Sequence, residues 1–259
     1  MTLTTTKLTR AAGLSAVAAG LLFIGVQINH PHMDVTFATT TEYTVRETLK
    51  VLMAALALTG ITGMYLRQVK QTGVLGLIGY LLFGAGYLIL MSIEVVGAVV
   101  LPSIAHSAPG YVNDVLAVAN GGTATGDIGL MKTLTLVSGI TFLGGGFLFG
   151  IALFRANVLT RWAAALLAVG SLATMAIPLL PQVNYRLFAI PTGVALVGLG
   201  HSLWREQRTP AARPMPNPVS SQLDPAGAKP STRQPAPPGR PGRPGGCRSR
   251  SSPSSWSPP

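Results

Sequence analysis

Two groups of residues carry side chains that could do chemistry. The first is the segment "INHPHMD", where His30, His32 and Asp34 alternate at i, i+2 and i+4. In extended backbone that spacing puts all three on one face, offering two nitrogens and one oxygen to a zinc ion. A zinc site normally takes a further ligand, and His106 or Asp114 in another polar stretch could supply it. The plainer reading is a polar loop leaving a membrane, where histidine and aspartate are ordinary. The second group centres on Glu94, embedded in "LILMSIEVVGAVVL" with apolar residues on both sides. An ionisable group inside an apolar span implies a partner, and marks a functional site by default.

Depth along a helix selects the partners. Glu94 stands 24 residues from Lys70, and Lys132 stands 23 residues from Arg155. At about 1.5 Å per residue these are rises of roughly 36 and 35 Å. Arg186 stands 19 residues from Arg205 and Lys50 stands 17 from Arg67, rises of about 28 and 25 Å. Glu94, Lys132, Arg186 and Lys50 are therefore expected to share the outer part of a helical bundle. Lys132 is the first choice of partner for Glu94, with Lys50 or Arg186 as the others. The four would form an ion-paired cluster, or an outward polar pocket with surplus positive charge suited to an anionic group.

The elements that must hold these residues follow from composition. The chain has 259 residues, of which 48% are hydrophobic and only 10% charged. Soluble domains carry about 25% charged residues, so the composition points to a bilayer. Six apolar segments stand out, at 11–28, 51–66, 73–101, 133–154, 162–180 and 187–204. Each approaches the ~20 residues that cross a ~30 Å hydrocarbon layer as a helix. Lipid offers no hydrogen bonds to backbone, so helix is the only reading for segments this apolar. The first segment has no small-residue cleavage pattern after it and reads as an uncleaved helix, not a signal peptide. The expected fold is all-α, a polytopic bundle of six transmembrane helices over residues 1–208.

Basic residues set the orientation. Lys7, Arg10, Arg67, Lys70, Arg155, Arg161, Arg205 and Arg208 fall on one side, against Arg46, Lys50, Lys132 and Arg186 on the other. Both termini are thus expected in the cytoplasm, with the protein multi-pass in the plasma membrane. Thr44-Val-Arg-Glu47 has the form of a capping box that would start the second helix at Thr44. Residues 110–120 read as a short amphipathic outer helix with Tyr111, Val112, Val115, Leu116 and Ala119 on one face, stopped by Gly121-Gly122. Gly144, Gly145, Gly146 and Gly150, with the glycines of the third segment, predict close helix packing, since small residues let backbones approach in lipid.

From Thr209 the chain turns rich in Pro, Gly, Ser and Arg, a composition too poor in aliphatic residues to fold, so residues 209–259 are expected to form a disordered tail. The net charge of +11 is not a nucleic-acid signal, because seven of the 19 basic residues lie in that tail and most others end apolar segments. The single cysteine, Cys247, excludes an intrachain disulfide. His201 reads as a snorkelling interfacial histidine, and no cofactor is expected. No nucleotide loop, zinc-protease helix or hydrolase elbow is present in the sequence.

With its six spans, short inner loops and the single charge of "MSIEVV" late in the third span, residues 8–208 resemble the uncharacterised small six-helix bacterial integral membrane proteins. The resemblance is architectural and transfers no site residue. Two functions are expected from the residues. One is a non-catalytic structural or accessory membrane protein. The other is a small-solute or lipid-handling transporter or membrane enzyme using the pocket around Glu94. The partners expected are the lipid bilayer and, through glycine-rich helix faces, a second copy or another membrane protein.

Overall fold

Apolar side chains sustained over whole segments leave the backbone no partner but itself, and the regular structure of the described residues is helical, with no strands. A computed structural model describes residues 4–28, 31–173 and 189–206. The helices are α1 (Thr5–Gly25), α2 (Val35–Ala38), α3 (Thr41–Arg67), α4 (Val69–Val95), α5 (Leu101–Ile104), α6 (Pro109–Ala119), α7 (Leu130–Ala156), α8 (Arg161–Ala173) and α9 (Ala189–Glu206). A π-helical turn, Val96–Val100, joins α4 to α5 without a break. Four helical stretches among the described residues are long and apolar enough to cross a membrane: Thr5–Gly25, Thr41–Arg67, Val69–Ile104 and Leu130–Ala156. The chain is a membrane protein on that ground. Their lipid-facing character is visible in large apolar side chains left uncovered, such as Leu136 and Ile140, each 63% exposed. Residues 174–180 of the fifth apolar segment, Arg186, His30 and the expected tail lie outside the described residues.

Small residues set how the long helices meet. Cβ atoms added to Gly79, Gly145 and Gly86 would lie 2.5, 2.2 and 2.7 Å from the backbone nitrogens of Phe149, Phe83 and Phe142. Those pairs step in opposite directions along α4 and α7, so the two helices are antiparallel with the phenylalanines seated over glycines. The same device joins α1 to α9. A Cβ at Gly13 would stand 2.8 Å from the Gly200 carbonyl oxygen, and one at Gly20 only 2.4 Å from that of Gly193. Gly146 and Gly150 pack on Ser171 and Ala168 of α8. The glycines singled out in the fourth apolar segment are thus used inside the chain, except Gly144, which faces open space. Neighbouring contacts run α1–α3–α4–α7–α8–α9 and return from α9 to α1, a closed ring in chain order.

Turns differ from expectation in instructive ways. The helix start read at Thr44 belongs to Thr40, whose hydroxyl accepts from the Tyr43 amide at 3.2 Å. Glu47, read as the capping carboxylate, is therefore free to go elsewhere. The short inner loop after the second apolar segment is a tight helical turn closed by Thr72 N to Gln68 O at 3.0 Å. Gly73 then takes φ 56°, a left-handed conformation in which a Cβ is strained. The connection after α7 begins at Asn157 with φ 52°, the left-handed cap that asparagine tolerates. Arg67 at the end of α3 pairs with Glu206 at the end of α9.

The third apolar segment continues past its expected end at Leu101 to Ile104. Proline has no N–H and its ring crowds the carbonyl four residues back. The π turn ending at Val100 widens the helix just before Pro102, and so carries the chain through it. The amphipathic helix expected at 110–120 is α6, with Val112, Val115 and Leu116 buried and Gly121 at φ 80° after its end. It packs with Tyr43, Ala38, Leu101 and Ile128 in a second apolar cluster, separate from the main core of α1, α3, α4, α7, α8 and α9.

Candidate functional site: a charged cavity between α3, α4 and α6

Residues three, four or seven apart share a helix face. Tyr43, Glu47 and Lys50 stand at i, i+4 and i+7 on the first turns of α3, and α3 turns that face toward α4. Lys50 Nζ lies 2.6 Å from Glu47 Oε1 and 3.4 Å from Glu94 Oε2 across the helix interface. One ammonium thus serves two carboxylates. All three side chains are largely withdrawn from solvent, with Glu47 the deepest at 4% side-chain exposure. Charges that bury survive only when paired, and Lys50 supplies that pairing.

The π turn completes the arrangement. Gly97 lies in it, three residues after Glu94. A Cβ there would stand 3.1 Å from Glu47 Oε2 and 3.5 Å from the Tyr43 hydroxyl. Glycine at this position leaves room for both oxygens against the helix. Wide turns of this kind are often found at functional sites, and here the geometric consequence is explicit.

These groups wall a cavity of about 80 Å³. Tyr43, Glu47 and Lys50 come from α3, Ile93, Glu94, Gly97 and Leu101 from the α4–α5 stretch, and Val115, Leu116, Ala119 and Asn120 from α6 and its end. Met33 also lines it. Asn120 donates from Nδ2 to the Leu116 carbonyl at 2.7 Å, so its amide is already tied to α6. Tyr43 is 1% exposed, and its hydroxyl makes no hydrogen bond among the described residues. That hydroxyl and Glu47 Oε2 converge on one point beside Gly97.

No protein-family model, no curated protein and no solved structure matches this chain. The site therefore has to be read from its own residues.

Of the residues singled out in the sequence, the structure joins Glu94 and Lys50. Lys132, the first choice of partner, is exposed and forms no ion pair among the described residues. Its neighbour Met131 is the one packed inward, seven residues before buried Ser138, so Lys132 points off the buried face of α7. Arg186 lies outside the described residues. The pocket expected to carry surplus positive charge holds two carboxylates and one ammonium instead.

The metal reading finds its residues occupied or apart. Asp34 caps α2, its Oδ1 accepting from the Phe37 amide at 2.7 Å. His32 is exposed, and His30 lies outside the described residues. No cluster of three metal-ligating side chains occurs among the described residues. Asp114 fastens the chain after α6: Thr125 and Gly126 donate their amides to its two carboxylate oxygens at 2.9 and 2.8 Å. Those bonds, the Thr125 amide first, hold the Asp114 carboxyl below the usual aspartate range. His201 keeps to its neighbour Trp204, with ring centres 6.0 Å apart.

Two residues of the cavity were missed at the sequence level, Glu47 and Tyr43. Their signal was present as the polar i, i+4, i+7 stripe with Lys50 at the entrance to an otherwise apolar helix. The capping-box reading of Glu47 hid it.

Proposed function

We propose that this protein is a multi-pass integral membrane protein that handles a small polar solute in the cavity around Glu94. The observation that carries the proposal is a cavity of about 80 Å³ walled by Tyr43, Glu47, Lys50 and Glu94, in a chain whose other buried residues are mostly apolar and none of them charged among the described residues. Its size limits the solute. A drug-sized or lipid occupant needs about 300 Å³ or more, whereas one water needs only about 10–15 Å³ on this scale. Lipid handling at this cavity is accordingly set aside. In this reading α8 and α9 complete a six-span bundle in the plasma membrane, with both termini cytoplasmic and the cavity near the outer surface. The antiparallel packing of α8 against α7 and of α9 against α1 supports that count. The basic residues at the opposite helix ends support the orientation.

A second reading has its own observation. Lys50 binds carboxylates on both α3 and α4, so the same residues could act only as a brace in a structural or accessory protein. Glu94→Gln separates the two. A solute-handling cavity predicts a variant that elutes as a folded monodisperse protein in detergent and loses ligand-dependent stabilisation. A pure brace predicts a lower melting temperature and no ligand response in the parent protein either.

A further inference from the structure

Resting on the solute-cavity reading, we infer that the occupant is one small monovalent cation of the alkali type. The charge balance carries the inference. With both carboxylates ionised, Glu47 and Glu94 contribute two negative charges against the one positive charge of Lys50, and among the described residues no other ionisable side chain except the Tyr43 phenol lines the cavity. One negative charge is left over in a site withdrawn from water, where an unbalanced charge is costly. A single monovalent cation balances it. A divalent ion would overshoot, and an anion would double the excess.

The donor atoms fit the same class. Alkali cations take oxygen ligands, and Lys50 engages only one oxygen of each carboxylate. Glu47 Oε2 faces the space Gly97 leaves, together with the Tyr43 hydroxyl, which is 1% exposed as a residue and has no hydrogen-bond partner among the described residues. A phenol oxygen that lines a cavity beside a carboxylate, with no hydrogen bond of its own, is free to take a ligand there. The oxygens already accept a monovalent cation in the form of the Lys50 ammonium, so their chemistry toward that class is on view. The cavity of about 80 Å³ admits such an ion with water to complete its shell.

The test is thermal unfolding of the full chain in detergent, with choline chloride replaced by LiCl, NaCl or KCl at constant ionic strength and pH. At least one alkali cation should raise the melting temperature by several degrees in a saturable way, as binding to the native state alone requires. Glu94→Gln should abolish the response. Tyr43→Phe, which keeps every ion pair, should weaken the apparent affinity several-fold and serves if Glu94→Gln does not fold. Equal melting in choline and in every alkali salt overturns the inference, and so does a larger Glu94-dependent response to MgCl₂. Stabilisation obtained only by lowering the pH, with no cation response, also overturns it and assigns the balancing charge to a proton. Choline formate and acetamide run alongside. A Glu94-dependent shift with either, and none with cations, sinks the cation and keeps the solute cavity. No Glu94-dependent shift with any probe sinks both.

Discussion

Glu47 Oε2 occupies the space that a side chain at Gly97 would need, standing 3.1 Å from the position of the missing Cβ. A carboxylate from one helix is thus accommodated by the absence of a side chain in the π turn of the next. Alanine at Gly97 gains up to about 1 kcal/mol of helix propensity but pushes on a carboxylate already held by Lys50. Leucine overfills the cavity, at a cost of about 1–3 kcal/mol. Gly97→Leu should therefore melt clearly below the parent protein in detergent, with Gly97→Ala close to it. Equal melting of the parent and leucine variants would mean that Glu47 does not sit in the turn.

Lys50 is the partner on which two carboxylates depend. Lys50→Met strands both, and removing one member of a buried pair costs about 3–5 kcal/mol. Glu94→Gln leaves Lys50 bound to Glu47 and should cost less. The Lys50→Met, Glu94→Gln double variant should be more stable than the sum of the single effects. Lys132→Met, on the exposed face of α7, should stay within about 0.5 kcal/mol. Additivity in the Lys50–Glu94 cycle, or a large loss at Lys132, would contradict the ion pairing observed.

Gly144 and Gly145 are neighbours with opposite surroundings. A Cβ at Gly145 would lie 2.2 Å from the Phe83 backbone nitrogen, while one at Gly144 meets nothing within 4 Å. Backbone cannot step aside without separating α4 from α7. Gly145→Ala should lower the melting temperature by many degrees. Gly144→Ala should leave it unchanged or raise it, since alanine favours helix by about 1 kcal/mol over glycine. Similar melting of the two variants would refute the assigned packing face.

Asp114, midway along α6, ties the chain that follows the helix back to it through the Thr125 and Gly126 amides. These bonds hold its carboxyl below the ordinary range of about 3.9. A depressed native value means the contribution is complete above the unfolded value and fades as pH falls through the native one. The amide chemical shifts of Thr125 and Gly126 should accordingly stay fixed down to about pH 4 and move only below it. Movement centred well above that value would show that Asp114 is not held by those donors. Asp114→Asn should shift both amides at neutral pH.

The proposed topology has a direct readout. Reporter fusions after Leu66, Phe154 and Trp204 should signal cytoplasm, and fusions within residues 121–129 should signal the exterior. An exterior signal from the Trp204 fusion would reverse the orientation or change the span count.

Class was legible in the sequence because it rests on transfer free energy, which each residue carries with it. Sustained apolar runs allow only helix in lipid, and α1, α3, α4 and α7 follow directly from them. The amphipathic α6 was legible for a related reason: its period belongs to one segment and needs no partner to be seen. Glu94 was recognisable as a site because a lone carboxylate in such a run is costly wherever the helix lies. Depth arithmetic placed Lys50 and Lys132 both within reach of it.

The choice between those two lysines was made only by tertiary structure. Depth fixes height along a helix but not the direction a side chain faces. The α4–α7 register turns Met131 inward and Lys132 outward, whereas the α3 face toward α4 carries Lys50 together with Glu47 and Tyr43. The make-up of the cavity changed with that choice, from an expected surplus of basic groups to two carboxyl groups around one ammonium. Glu47 shows the same limit. Thr44 and Glu47 have capping spacing, yet Thr40 caps the helix and the carboxylate turns to the π turn just before Pro102. Which residues are polar is written in the chain, but which of them meet depends on helix rotation, and rotation is set by glycines and phenylalanines far from the site.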